Sequence, residues 1–276
     1  MPTPTMAITP MQLVDIGANL THESFRQDFE AVLARARAAG VEQMLVTGAS
    51  LDGSRDALAL AQRHRGVLFA TAGVHPHHAG EVDAGAEDVL RTLLKDPCVR
   101  AAGEMGLDYF RDFAPRAAQR TAFERQLALA AELRMPLFLH QREAHADFLP
   151  LLRSVRDAVP AAVVHCFTDG RKALHDYLDL DCHIGITGWL CDERRGTHLR
   201  ELVRSIPRGR LLIETDAPYL LPRSLRPRPA HRRNEPMYLM EVLRELARAR
   251  GEDPVDLAAA TSQNARAVFG LPQPSL

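Results

Sequence analysis

The chain has 276 residues, 46% hydrophobic and 25% charged, an ordinary composition for one large barrel or two small domains. A formal net charge of −1 excludes strong overall attraction to nucleic acid or an anionic membrane, so any polyanion has to be held by a local patch. Four cysteines (Cys98, Cys166, Cys182, Cys191) at irregular spacings exclude a zinc ribbon and a disulfide framework. With no secretory leader and no apolar run of spanning length, the reducing cytoplasm is the expected compartment.

Residues 1–10, MPTPTMAITP, read as a disordered extension ahead of a single domain over 11–276. From there, short β-rich runs alternate with helical segments. Expected strands are 12–16, 43–48, 67–75, 99–104, 136–140, 161–165, 182–188 and 210–215. They are mostly continuous apolar runs, which suits parallel strands buried on both faces. Between them, 24–39, 51–64, 115–134, 143–157 and 235–249 carry Ala and Leu at helical spacing with charged residues elsewhere. The last segment, DPVDLAAATSQNARAVFG (253–270), is expected to be a closing helix capped by Asp253 and stopped at Gly270. Eight strands, each followed by a helix, predict a TIM (β/α)8 barrel. A doubly wound sheet is the rival, but DIGANLT after the first strand is no Gly-rich phosphate turn.

In such a barrel the C-terminal strand ends converge on one cleft. His75, Glu104, His140 and His165 close the third to sixth runs, and Asp216 follows the eighth. Each of these positions alone reads as a hydrogen-bonded structural residue; their shared place in the repeat points to a metal centre of Glu104, His140, His165 and Asp216. Two imidazoles and two carboxylates without thiolate suit a divalent ion at an open site. Glu104 and Asp216 are the candidate catalytic groups, with Asp216 as proton acceptor. His75 is a candidate for substrate contact, whereas His77 and His78 of HPHH read as a surface turn kinked at Pro76.

After Asp216, residues 223–233 hold Arg223, Arg226, Arg228, Arg232 and Arg233. A solvated loop is the default reading of a basic run. Arginine forks on the face of the inferred metal instead favour a phosphodiester substrate, with Arg232 and Arg233 as phosphate contacts. Trp189 reads as packing beneath a loop, with stacking on a base as the alternative.

These residues lie in motifs that resemble the TatD family of metal-dependent deoxyribonucleases. The resemblance runs in order through VDIGANLTH (14–22), TAGVHPHH (71–78), GEMGLDYFRDF (103–113), LFLHQREAH (137–145), VVHCFTDG (163–170), IETDAPYLLPR (213–223) and RRNEP (232–236). It implies an amidohydrolase-type barrel and a magnesium-dependent 3′–5′ exonuclease on single-stranded DNA, with RNA as a second substrate and manganese or zinc as alternative ions. It also implies Glu104, His140 and His165 as metal ligands and Asp216 as the catalytic aspartate. One departure stands out. Where many relatives carry an HxH pair after the first strand, this chain has Gly17 and Asn19. That puts a fully ligated two-metal centre in doubt and leaves Asn19 as a neutral contact.

A rival enzyme class, an amidohydrolase on a small amide, lactone or deaminase substrate, would use the same ligands but leave the arginine loop without a purpose. A non-enzymatic scaffold would have no need of the strand-end acids and imidazoles. The expected partners are therefore 3′ ends of single-stranded DNA or RNA, with no membrane, no obligate protein partner and a monomeric chain.

Overall fold

A computed structural model describes residues 11–274. The expectation for residues 1–10 lies outside this range. The eight strands are β1 (Leu13–Ala18), β2 (Val41–Val46), β3 (Leu68–Ala72), β4 (Val99–Asp108), β5 (Leu137–Arg142), β6 (Ala162–Val164), β7 (His183–Ile186) and β8 (Leu211–Ile213). All neighbours are parallel and follow chain order from β1 to β8. Past the strand ends, the Asp216 N–H donates to Gly17 O at 2.8 Å and the Asn19 N–H to Ala217 O at 2.7 Å, which draws β8 against β1. The result is the nearly closed barrel expected from the sequence.

The outer helices are α1 (Phe29–Ala38), α2 (Leu51–Arg63), α3 (Ala84–Leu93), α4 (Arg116–Leu133), α5 (His145–Val155), α6 (Arg171–Asp179), α7 (Leu199–Leu202), α8 (Leu239–Arg250) and α9 (Pro254–Phe269). They pack on the outward strand residues in one continuous apolar layer. A second cluster fills the barrel interior: Val14, Ile16, Leu45, Phe138, Val163 and Leu212 point inward and meet Val268, Phe269 and Leu271 from the end of the chain. The interior is thus a packed core closed at its base by α9. That helix begins as expected, with Asp253 Oδ1 accepting from the Val255 N–H at 2.7 Å, and it ends at Gly270, whose φ of 58° is left-handed.

The largest departure from expectation is β4. It runs four residues beyond Glu104, which therefore lies inside the strand, and Asp108 takes the strand end. Gly103 and Gly106, at φ 139° and 150°, adopt conformations that L side chains avoid, and a Cβ on either would strike the β5 backbone. With the β4–β5 register shifting between Ala102 and Met105, the two strands approach closely enough to carry β4 onward. By contrast, β3 ends at Ala72, so His75 stands in the following loop and caps the 3-10 turn Pro76–Glu81, its Nδ1 accepting from the His77 N–H at 3.1 Å. Among the described residues, no helix is long and apolar enough to cross a membrane.

Candidate active site

Glu104 is the hub of the cleft floor. One of its oxygens, Oε1, lies 2.8 Å from His165 Nε2, 3.0 Å from His140 Nδ1 and 3.4 Å from His75 Nε2. Burial opposes a charge on Glu104. The imidazoles of His165, His75 and His140 outweigh it and hold the carboxyl well below the usual range. Asp108 forms a second hub: its Oδ2 meets His77 Nε2 at 3.1 Å and His140 Nε2 at 3.2 Å, while its Oδ1 accepts the Arg111 N–H at 2.8 Å. His140 therefore bridges both carboxylates.

Two overlapping groups of donors result, His75 with Glu104 and His140, and His75 with His77 and Asp108; in each, the donor atoms lie within 4.8 Å of one another. His77 and Asp108 were not among the residues anticipated as site groups. The sequence reads His77 and His78 as a surface turn; in the structure His78 alone behaves so, paired with Glu81 at the surface. Asp108 had a legible signal: it stands four residues after Glu104, on the same strand face had the run been extended.

His165 is placed from behind by a third carboxylate. Glu214 is fully buried; its Oε2 lies 3.3 Å from His165 Nδ1 and its Oε1 accepts the Cys166 N–H at 2.5 Å. The His165 ring also stacks on Phe138, centroids 4.5 Å apart. Burial lowers the imidazole's proton affinity, yet the charges of Glu104 and Glu214 raise its pKa well above the usual value. Glu214 also fills the space beside Gly17 on β1. A Cβ at Gly17 would run into Glu214 Oε2, and one at Gly185 would stand 2.6 Å from Oε1, so two side-chain-free positions cradle this carboxylate.

Asp216 sits at the same cleft, held by Asn19, whose Nδ2 donates to Oδ1 at 2.9 Å. Burial, reinforced by the Glu104 and Glu214 charges against the opposing pull of His165, pushes its carboxyl up to about 7. It belongs to neither donor group above.

The arginines divide. Arg232 lines the cleft, together with His75, Asn19 and Asp216. Arg233 does not. Its guanidinium is bound to Asp28 at 2.7 and 2.8 Å and to Glu235 at 2.7 Å, with Arg35 bridging the same two acids, so the structure gives it a bracing role rather than a phosphate contact. Arg223 is tied to Glu193 at 3.0 Å. The cleft itself holds about 1060 Å³, and three of the four exposed large hydrophobic residues among the described residues, Phe110, Phe113 and Tyr219, stand on it.

Comparison with known proteins decides what kind of barrel this is. The sequence pattern described as TatD related DNase matches residues 14–270. The chain belongs to the TatD family. A TatD relative from Erwinia amylovora, named 3′-5′ ssDNA/RNA exonuclease TatD, is 52% identical over 259 residues, covering 94% of this chain and 100% of the relative. Among solved structures, the TatD homologue YJJV from Escherichia coli K12 superposes with a TM-score of 0.87 at 28% identity, covering 96% of this chain and 100% of that one. A TatD family hydrolase from Entamoeba histolytica gives 0.86 at 25% identity with the same coverage. Glu104, His140 and His165, expected as metal ligands, meet on one cleft floor beside His75, His77 and Asp108; His165, like Asp216, lies in neither of the two donor groups.

Proposed function

We propose that this TatD-family chain is a divalent-metal-dependent 3′–5′ exonuclease acting on single-stranded DNA and RNA, working as a monomer in the reducing cytoplasm in strand repair or turnover. The observation that carries the reading is Glu104 gathering three imidazoles on one oxygen at the floor of an open, aromatic-rimmed cleft. Its four named cysteines, all unbridged, fit that compartment.

The donor set fits a divalent ion. Imidazole and carboxylate without thiolate suit magnesium, manganese or zinc at an open site. His75 Nδ1 already accepts the His77 N–H, which leaves Nε2 for a metal, and the two donor groups share this one residue. The protein therefore completes one ion site, with His75, Glu104 and His140, and leaves a second to His77, Asp108 and a phosphate oxygen. We assign magnesium as the resident ion, since it commonly recruits substrate phosphate. When bound, the ion supplies Lewis acidity toward a phosphodiester oxygen and the attacking water.

The chain's own residues do the rest. Asp216, poised near neutrality, takes the proton from the attacking water, and Asn19 fixes its orientation. His165, steadied by Glu214 and Phe138, holds Glu104 in place. Arg232 pairs with the phosphate backbone at the cleft mouth. Exposed rings on the rim give unpaired bases a surface to stack on.

Incubating the metal-loaded protein with single-stranded and duplex DNA, beside a panel of small amides and lactones, tests this reading. Loss of the single strand with the panel untouched is expected. Turnover of an amide or lactone with the strand intact would replace the nuclease reading by an amidohydrolase.

A further inference from the structure

A second cavity of about 480 Å³, within the ~300–1,000 Å³ range of small-molecule sites, opens beside the main cleft. Phe110, Gln141, Arg142, Thr168, Trp189 and Arg195 line both spaces and so form the wall between them. Within that wall, two aromatic rings and two guanidinium planes lie against one another. The Arg142 guanidinium lies 4.0 Å from the Phe110 ring centre and 5.9 Å from that of Trp189, and Arg195 lies 5.8 Å from Trp189 on its own account. Unlike Arg223 and Arg194, which are tied to Glu193 and Asp192, these two guanidinium groups lie against rings. Such a wall offers flat faces to a nucleobase and positive charge to the phosphate beside it.

The cavity carries carboxylates as well. Asp169 lines it, held by Gln141 Nε2 at 3.0 Å and by the Gly170 N–H at 2.6 Å, and Glu143 lines it too. Two carboxylates repel a phosphate but accept N–H groups of a base. A space that offers both stacking faces and acceptors takes a base, with the sugar-phosphate left outside.

We infer that the side cavity is a subsite for the base of the penultimate nucleotide, the one on the 5′ side of the bond being cut. This rests on the exonuclease reading. The terminal nucleotide must leave after every cut, which suits the wide main cleft, whereas the retained strand needs a hold that persists between cuts. A base swung into the side cavity provides that hold. It also selects for single strands, because a paired penultimate base would have to give up its partner before entering.

The test compares degradation of three single strands by the full-length, metal-loaded protein: intact, abasic at the penultimate position, and abasic at the terminal position. Trp189→Ala is expected to lower kcat/KM on the intact strand roughly tenfold, the size of one base–aromatic stack. That loss should vanish when the penultimate base is missing and persist when the terminal base is missing. Trp189→Phe, which keeps a stacking face, should recover most of the loss and controls for misfolding of the alanine variant. A loss that disappears only with the terminal base, or that is indifferent to both, overturns the subsite while leaving the nuclease reading intact. A wild-type protein that degrades none of the three strands overturns the nuclease reading itself.

Discussion

His165 Nε2 stands 2.8 Å from Glu104 Oε1, with both side chains more than nine-tenths buried. Without metal, this contact is a buried ion pair: burial disfavours both charges, yet the imidazole pKa is raised well above its ordinary value and the carboxyl held well below its own. An incoming cation competes with the proton on His140 and with protonated His165 for the Glu104 carboxylate. Since the raised His165 keeps its proton to higher pH, metal affinity should rise with pH and uptake should release protons. Glu104→Gln removes the shared oxygen's charge and should weaken manganese binding by more than the ~10–100-fold typical of an outer-shell partner. Calorimetric titration in two buffers of different ionisation enthalpy reads both effects. Wild-type affinity in the variant would remove Glu104 from the site.

Asp216→Asn should keep the fold and much of the metal affinity, because the amide retains the shape and the Asn19 contact. The chemical step should fall by ~10²–10⁴, the usual contribution of a positioned general base. The wild-type rate should rise as pH passes about 7, where the buried carboxyl loses its proton, and the variant should lack that rise. A pH–rate profile checks this. A variant with the parental rate and profile would free Asp216 of any role as base.

At Gly17 the account predicts intolerance to the smallest side chain. A Cβ there meets Glu214 Oε2 and stands 3.1 Å from the Phe138 ring, both in a packed interior. Gly17→Ala should destabilise the fold by ~1–3 kcal/mol, the ordinary cost of overpacking, and should loosen His165 through Glu214. Chemical denaturation measures the first effect and metal affinity the second. An alanine variant as stable as the parent would show that Glu214 can move aside.

The two neighbouring arginines should separate cleanly. Arg232→Ala should flatten the salt dependence of strand binding with little change in stability, whereas Arg233→Ala should leave the salt slope alone and weaken the fold by ~1 kcal/mol after allowance for solvent screening. The acid limb follows from Asp28. Hydrogen bonding to Arg233, with burial opposing, lowers its carboxyl from 3.8 to about 2, so the stabilisation is complete above the ordinary value and is lost as pH falls through about 2. In the Arg233 variant that part of the acid unfolding curve should move to higher pH. A steep salt slope lost with Arg233 and kept without Arg232 would reverse the assignment.

The barrel was legible because its signal is repetitive: apolar runs of strand length recur with helical segments between them, and each run found its strand within a few residues. Glu104, His140 and His165 were legible for the same reason, being polar groups at the end of apolar runs. What the sequence hid depends on backbone geometry. The Gly103 and Gly106 positions that let β4 continue to Asp108 look like loop residues in one dimension. His77 joins the cleft only because His75 caps the turn and swings it toward Asp108. Arg233 looked like part of a basic run until Asp28 and Glu235, one of them 205 residues away, closed on it.

A time course on 5′-end-labelled single-stranded DNA, run with wild type and Glu104→Gln side by side, tests the central claim most directly. The account predicts a ladder that shortens from the 3′ end one nucleotide at a time. Chelator should halt it, added magnesium or manganese should restore it, and the Glu104 variant should lack it at limiting metal. A labelled strand that stays intact with metal-loaded wild type, or that loses its 5′ label first as a mononucleotide, would contradict it.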